Sequence, residues 1–489
     1  MKATASQTLP SYSSSNKRVT SKPNLAKKLG TADIVFTVLA YNAPLTVVTG
    51  FLPLIVAEGN GLGAPLAFLF SACLIMLFVT GFTAMSEHTP NPGAFYSYIT
   101  SGLGRQLGLG SAFVAIMGYF CFMISIYCYA GIAFGGLAKN LIGNPLLPWW
   151  GWSFLVMSLI SVMGYLKITL SAAVLSIALI LEIITVLFWQ GAVVSEKGIS
   201  GISMDWLSSS AFLSGSVGIA ILLAVCSFAG FEATAIFREE ARDPEKTIPR
   251  AAFMAVGVLA VLFFTSAVIY VTAYGSNSVI AVTQADPSNG TINSIGQYLG
   301  APGLLTVNVL LCSSIFACLL ALQNITARYI YSLASDKVLP KTLSKVHPKH
   351  QSPYLASLVV SIASCIVFGI CVVIQVDPYV VYGGIGGVAG YALMLLETLT
   401  AFAIIAYFAK NKHSYSFMRV YVAPGLAAVG LIVTSWLATT NLELLTGNTK
   451  LAYSMIALAF VLLITGVMYA LYLRKNKPES YNRIGRQDV

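Results

Sequence analysis

Charge is what this chain has least of: Asp, Glu, Lys and Arg make up 9% of its 489 residues, where a soluble domain carries roughly 25%. A chain this poor in charge, and 57% hydrophobic, cannot present a wetted surface along its whole length. Its length would admit ~3 soluble domains, yet apolar segments run through nearly all of it and leave room for one membrane domain. Cysteine and histidine are sparse as well. The eight cysteines, at 73, 121, 128, 226, 312, 318, 365 and 371, all fall inside apolar stretches, which excludes a disulfide framework or a CxxC site. The four histidines flank apolar segments, and Pro348 between His347 and His350 disfavours a helical ligand pair. No metal and no cofactor are expected. The first thirty residues lack the apolar core and small-residue cleavage site of a signal peptide, so 1–30 reads as a disordered cytoplasmic tail that is retained. The net charge of +10 is scattered among loops rather than gathered on one element, which argues against nucleic acid as a partner.

What the chain does have is long apolar runs. Crossing ~30 Å of hydrocarbon takes about 20 apolar residues, and such stretches lie near 33–57, 64–85, 108–137, 149–165, 168–194, 215–238, 251–274, 303–330, 354–376, 379–408, 421–440 and 451–473. The expected fold is an all-α polytopic membrane protein of ~12 transmembrane helices, with both termini on one side. If that side is the cytoplasm, 25 of the 28 Lys and Arg residues lie there, leaving only Lys139, Lys197 and Lys450 outside. This is the bias that orients proteins of the cell membrane.

Two spans are interrupted in corresponding places: Tyr41-Asn42-Ala43-Pro44 breaks the first and Ser227-Phe228-Ala229-Gly230-Phe231-Glu232 the sixth. The fifth and tenth echo one another through Leu181-Glu182-Ile183-Ile184-Thr185 and Leu396-Glu397-Thr398-Leu399-Thr400. Together these read as two inverted repeats of five helices. The transporter core spans 31–410, its halves about 31–194 and 215–410; two trailing helices fill 411–473, and 474–489 is a cytoplasmic tail.

Pro44 has no amide proton, and its ring clashes with the carbonyl one turn back, so the first helix should open there. The freed backbone groups are tolerated only facing protein or a water-filled cavity. In the functional reading, the amides of Ala43, Leu45 and Thr46 begin a half-helix whose positive end faces a carboxylate; the bland reading is a proline kink. Glu182 lies mid-span, where a charged carboxyl costs at least ~2.5 kcal/mol. It is either a proton carrier or a neutral acid bonded across helices. Glu232 reads first as a cap on its half-helix, and Glu397 as a packing group satisfied by Thr398 and Thr400. The string from Gly383 to Gly390 matches GxGxxA without a preceding strand, so close helix packing is its expected use rather than a nucleotide site. Asn289-Gly290-Thr291 spells a glycosylation sequon in an expected outside loop.

At these residues the sequence resembles the amino acid–polyamine–organocation superfamily of transporters. Four stretches carry the likeness: Pro90-Asn91-Pro92-Gly93-Ala94-Phe95-Tyr96-Ser97-Tyr98, Gly230-Phe231-Glu232-Ala233, Glu240-Ala241-Arg242-Asp243-Pro244 to Ile248-Pro249-Arg250, and Ala327-Arg328-Tyr329-Ile330-Tyr331-Ser332-Leu333 running to Leu339-Pro340. The resemblance implies a five-plus-five fold with broken helices 1 and 6. It implies a substrate carboxylate at first-helix amides around Asn42, Ala43, Leu45 and Thr46, and a substrate amine at sixth-helix carbonyls around Cys226, Ser227, Phe228, Ala229 and Gly230. The first helix departs from pattern, because many members have Gly-Ser-Gly where this chain has Ala43-Pro44-Leu45-Thr46. One amide is lost there, and the Thr46 hydroxyl is a substitute donor. Counting from Ser171-Ala172, Glu182 falls where several members carry a lysine, at the place of a sodium ion in sodium-coupled relatives. A carboxylate there serves as proton carrier, the preferred reading, or as a sodium ligand with Ser313 and Ser314.

The sequence thus reads as a secondary active transporter that imports amino acids by proton symport with alternating access. The alternative is a sodium-coupled or exchange transporter of amines or polyamines. Its partners are a small-molecule amino acid or amine, the coupling ion H+ or Na+, and membrane lipid. A membrane-embedded enzyme would need a convergent His, Asp or Cys constellation at membrane depth, which is not seen. A receptor would leave the matched breaks unexplained.

Overall fold

The computed structural model describes residues 29–89, 94–166, 172–236, 241–350 and 352–485. Most of the 1–30 tail, Pro90 to Gly93, Lys167, Ser171, Arg238, Glu240 and the last four residues lie outside the described residues. Eleven helices among those described are long and apolar enough to cross a membrane: Thr31–Glu58, Gly61–His88, Arg105–Ile142, Trp149–Leu166, Val174–Lys197, Pro244–Tyr274, Gly290–Ser335, Tyr354–Val373, Pro378–Lys410, Met418–Thr439 and Thr449–Asn476. The shorter apolar helix Val217–Cys226, resumed after a break at Ala233–Ile236, takes the place expected for the sixth span. Numbered with it, the spans run from one to twelve.

Every expected apolar stretch coincides with a helix, and the differences are at the ends. The third span reaches 38 residues. The eighth is extended backwards by a short helix joined to it through Gly300, whose φ of 66° interrupts Gly290–Ser335. Helices also occur in connections, among them Ala94–Leu103, Ser209–Phe212, Val279–Ala285 and Glu443–Thr446, whose lengths are too small for a membrane crossing. The sequon is folded in: Thr291 is fully buried and donates to the Val48 carbonyl at 2.7 Å, while the Asn289 amide donates to Asp286.

Burial separates centre from rim. In the first and third spans 78% and 72% of the apolar stretch is buried, against 28% in the fourth and twelfth. The tenth span packs along the third and against the sixth, and its glycines are what permit this. A methyl group added at Gly390 would come within 3.2 Å of Cys226 Cβ, and one at Gly386 within 2.9 Å of Ser125 Oγ. Small residues let the backbones approach, as their spacing suggested. The fifth span shows the opposite face of the same physics: Leu181 and Ile184 point outward while Glu182 is 4% exposed. One turn of helix therefore presents apolar side chains to lipid and a carboxyl to the interior.

Candidate functional site

The first span opens where Pro44 leaves no amide to donate. Its first half ends at Asn42, Ala43 turns into the left-handed region at φ 55° and ψ 67°, and helix restarts at Pro44. Val47–Phe51 is then wound as π-helix, a form concentrated at functional sites, before the run continues to Glu58. In the sixth span Gly230 adopts φ 109°, a conformation open to glycine without steric penalty. Helix stops at Cys226 and resumes at Ala233.

The two breaks meet. The side-chain amide of Asn42 donates to the carbonyls of Ser227 and Ala229 at 2.7 and 2.9 Å. Beside it, the Leu45 amide donates to Glu182 Oε2 at 3.3 Å, and the Ser314 hydroxyl donates to the same oxygen at 3.0 Å. The neighbouring amides stay within their own helix: Ala43 donates to Leu39, and Thr46 and Val47 donate to the Ala43 carbonyl. Leu45 is thus the amide of the restart that reaches another span, and what it reaches is a carboxyl.

Glu232 is expected to cap the half-helix that follows it, but its carboxyl turns back into the break: it accepts from the Gly230 amide at 2.8 Å and from the Tyr119 hydroxyl at 2.7 Å. Glu397 departs from expectation. Thr398 and Thr400 donate to the Met394 and Leu396 carbonyls of their own helix, and Glu397 Oε2 is buried without a hydrogen-bond partner.

A cavity of about 30 Å³ lies between the breaks, lined by Asn42, Tyr119, Ser227, Ala229, Gly230 and Glu232 among others. It is far smaller than the several hundred Å³ of a ligand-sized cleft. Of the residues singled out by sequence, Asn42, Cys226, Ser227, Ala229 and Gly230 line this cavity, and Ala43 forms the adjoining turn. Leu45, Glu182 and Ser314 form the neighbouring cluster. Thr46 is buried with its hydroxyl unpartnered. Two residues are not brought in: Phe228 packs edge-on against Phe263 at 5.7 Å, and Ser313 donates to the Leu310 carbonyl of its own helix. Sequence reasoning missed Tyr119 and Phe122 of the third span and Cys318 and Leu322 of the eighth, which also line the cavity. They sit in long unbroken apolar runs where no spacing or interruption marks one face as special.

The sequence model of the amino acid permease family matches residues 36–482, a stretch that contains both breaks and the Glu182 cluster. The chain belongs to this amino acid permease family. It is therefore a multi-pass membrane permease rather than an enzyme, within the superfamily that its motifs resemble. The branched-chain amino acid permease BcaP of Bacillus subtilis is 24% identical over 439 residues, covering 85% of this chain and 87% of that protein. The gamma-aminobutyric acid permease of Escherichia coli is 26% identical over 310 residues, 60% of this chain and 62% of that permease. The low-affinity putrescine importer PlaP of Escherichia coli is 25% identical over 354 residues, 70% of this chain and 74% of the importer.

Proposed function

We propose that this permease is a secondary active transporter of the cell membrane, both termini cytoplasmic, that imports amino acids by proton symport with alternating access. The observation that carries the proton is the setting of Glu182. It is mid-span, 4% exposed, bonded to the Leu45 amide and Ser314, and in no salt bridge among the described residues. A charged carboxyl at that depth costs at least ~2.5 kcal/mol, a penalty that a bound proton removes and that access to water on the other side relieves. The group is thus suited to load on one side and unload on the other.

The substrate amine is assigned to the carbonyls of Ser227 and Ala229, and the carboxylate to the restart of the first span, where an aligned helix favours negative charge. The substrates named for the three relatives, branched-chain amino acids, gamma-aminobutyric acid and putrescine, share an amine, and the first two also carry a carboxylate. Neutral amino acids are the expected class. Sodium is the second reading, supported by the oxygens of Glu182 and Ser314 lying 3.0 Å apart, since oxygen donors suit a hard cation.

Purified protein in proteoliposomes, with pH and sodium gradients imposed independently, tests both. Concentrative leucine uptake driven by an inward proton gradient alone is the expected result. Uptake that ignores pH and requires sodium replaces the first reading with the second.

A further inference from the structure

In the closed site both broken ends are already occupied by the protein's own side chains. The Asn42 amide rests on the Ser227 and Ala229 carbonyls at 2.7 and 2.9 Å, as a substrate ammonium would. The Glu182 carboxyl rests on the Leu45 amide at 3.3 Å, as a substrate carboxylate would. We infer that these two side chains are internal stand-ins for the substrate, and that a substrate carboxylate brings a proton with it by displacing Glu182 from the Leu45 amide. The inference rests on the symport reading above and adds the step that ties substrate to proton.

The scarcity of backbone donors favours the displacement. Pro44 offers no amide, and those of Ala43, Thr46 and Val47 are used within the first span. That leaves the Leu45 amide, and one amide cannot serve two carboxyls. The Thr46 hydroxyl is the second donor at this place. It is 4% exposed with its oxygen unpartnered and lies one residue from Leu45.

Once Glu182 has lost the amide, it keeps only Ser314 and faces a second negative charge in a water-poor interior, where like charges repel strongly. Taking a proton from the outer solution removes the repulsion. On the cytoplasmic side substrate departure returns the amide to Glu182, which favours its charged form again and releases the proton inward.

Little else nearby competes for this role. Cys318 lies one helical turn beyond Ser314 on the eighth span. The other acids and bases on the packed helices lie toward their ends: Asp33 and Glu58 on the first span, Glu245, Lys246 and Arg250 on the seventh, and Arg328 on the eighth. An amine without a carboxylate would displace Asn42 but leave Glu182 on Leu45, and would bind without a proton.

Calorimetry on the purified full chain tests this, using leucine with 3-methylbutylamine and ornithine with putrescine as matched pairs differing in the carboxylate. Heats measured at a series of pH values from neutral to mildly alkaline, each in two buffers of different ionisation enthalpy, give the protons taken up per ligand. The amino acid members should take up protons on binding, approaching one per molecule only at the alkaline end of the series, where Glu182 is ionised beforehand, and the amines none. Glu182→Gln should bind leucine with no proton uptake, and Glu182→Asp should restore it; thermal unfolding of both variants verifies that they are folded. Equal proton uptake within a pair, none with either amino acid, or failure of both amino acids to bind overturns the inference. Leucine accumulation on a pH gradient without ligand-linked proton uptake would overturn this step while leaving proton symport standing. Absence of pH-driven transport would instead remove the symport reading itself.

Discussion

The Asn42 side chain joins the two broken helices directly, its amide donating to the Ser227 carbonyl at 2.7 Å across 185 residues of sequence. Asn42→Ala leaves the Ser227 and Ala229 carbonyls without that donor, and an unsatisfied buried group costs about 1–3 kcal/mol. The ligand-free protein should therefore melt at a lower temperature than wild type. Leucine should raise the melting temperature of the variant by more than it raises that of wild type, because the substrate ammonium fills carbonyls that nothing else occupies. Equal melting temperatures would show that the bridge contributes nothing to the closed arrangement.

Gly230 borders the cavity with φ at 109°, and a Cβ placed on it meets nothing closer than the Asn42 backbone nitrogen at 3.7 Å. Gly230→Ala therefore adds backbone strain, of order 1–3 kcal/mol, without filling the site. Gly230→Leu adds the same strain and extends its further carbons into a space of about 30 Å³. Both variants should be less stable, but only the leucine should abolish ligand-induced thermal stabilisation. Undiminished ligand binding by Gly230→Leu would move the substrate elsewhere.

The charge distribution makes a prediction about sidedness. Asn277 and Thr342 are both exposed, the first in a connection assigned outside and the second in one assigned to the cytoplasm by the bias of Lys and Arg. Single cysteines at these positions, in a background lacking the native thiols, should react differently with an impermeant maleimide in intact cells. Asn277→Cys should label and Thr342→Cys should not; the reverse pattern would invert the topology.

Hydropathy and proline chemistry made much of this architecture readable. Twelve apolar runs became helices because a chain in hydrocarbon must satisfy its backbone within each segment, and Pro44 marked its break because a missing amide is a local property. Partners across helices were a different matter. Glu182 could be singled out as a buried acid, but only the packing of the fifth, first and eighth spans shows that it meets Leu45 and Ser314. Ser313 and Ser314 are indistinguishable in sequence, and one residue of helical rotation turns the first toward Leu310 and the second toward Glu182. Tyr119 carried no signal because its role depends on Glu232, 113 residues away.

The end of the chain is another case where composition says little. Residues 474–489 read as a polar tail, yet Pro478–Arg483 forms a helix, and the Gly485 amide donates to the Tyr96 hydroxyl at 2.7 Å, which itself donates to Asp336 at 2.9 Å. Burial and the facing Asp336 push the ionisation of Tyr96 well above its ordinary range, so it remains a donor. The nearby Lys337–Glu479 pair is exposed and adds little. Tyr96→Phe should remove a hydrogen bond to a charged group, about 1.5–3 kcal/mol, and loosen the tail, leaving the Gly485 amide only its longer bond to Asp336 at 3.2 Å. Hydrogen exchange over 478–485 should accelerate by roughly tenfold or more, with unchanged exchange showing that the tail is held by other contacts.

Glu182 provides the most direct test of coupling, because substrate movement and energetic drive can be separated at one residue. Glu182→Gln retains the shape and the capacity to bond Ser314 while fixing the group in an uncharged form, as in the proton-loaded carrier. The variant should exchange labelled for unlabelled substrate across the membrane, since exchange requires only that a loaded carrier reorient. It should fail to accumulate substrate on an inward proton gradient, since nothing at this site can then be released to the cytoplasm. It should also be no less stable than wild type in detergent, as replacing a buried charged form by a neutral amide removes a desolvation penalty while keeping a donor and an acceptor. Retained accumulation on a pH gradient would mean that the proton travels on another group. The unpartnered oxygen of Glu397 would then be the next carboxyl to replace, and Glu397→Gln would be expected to show the loss of coupling that Glu182→Gln did not.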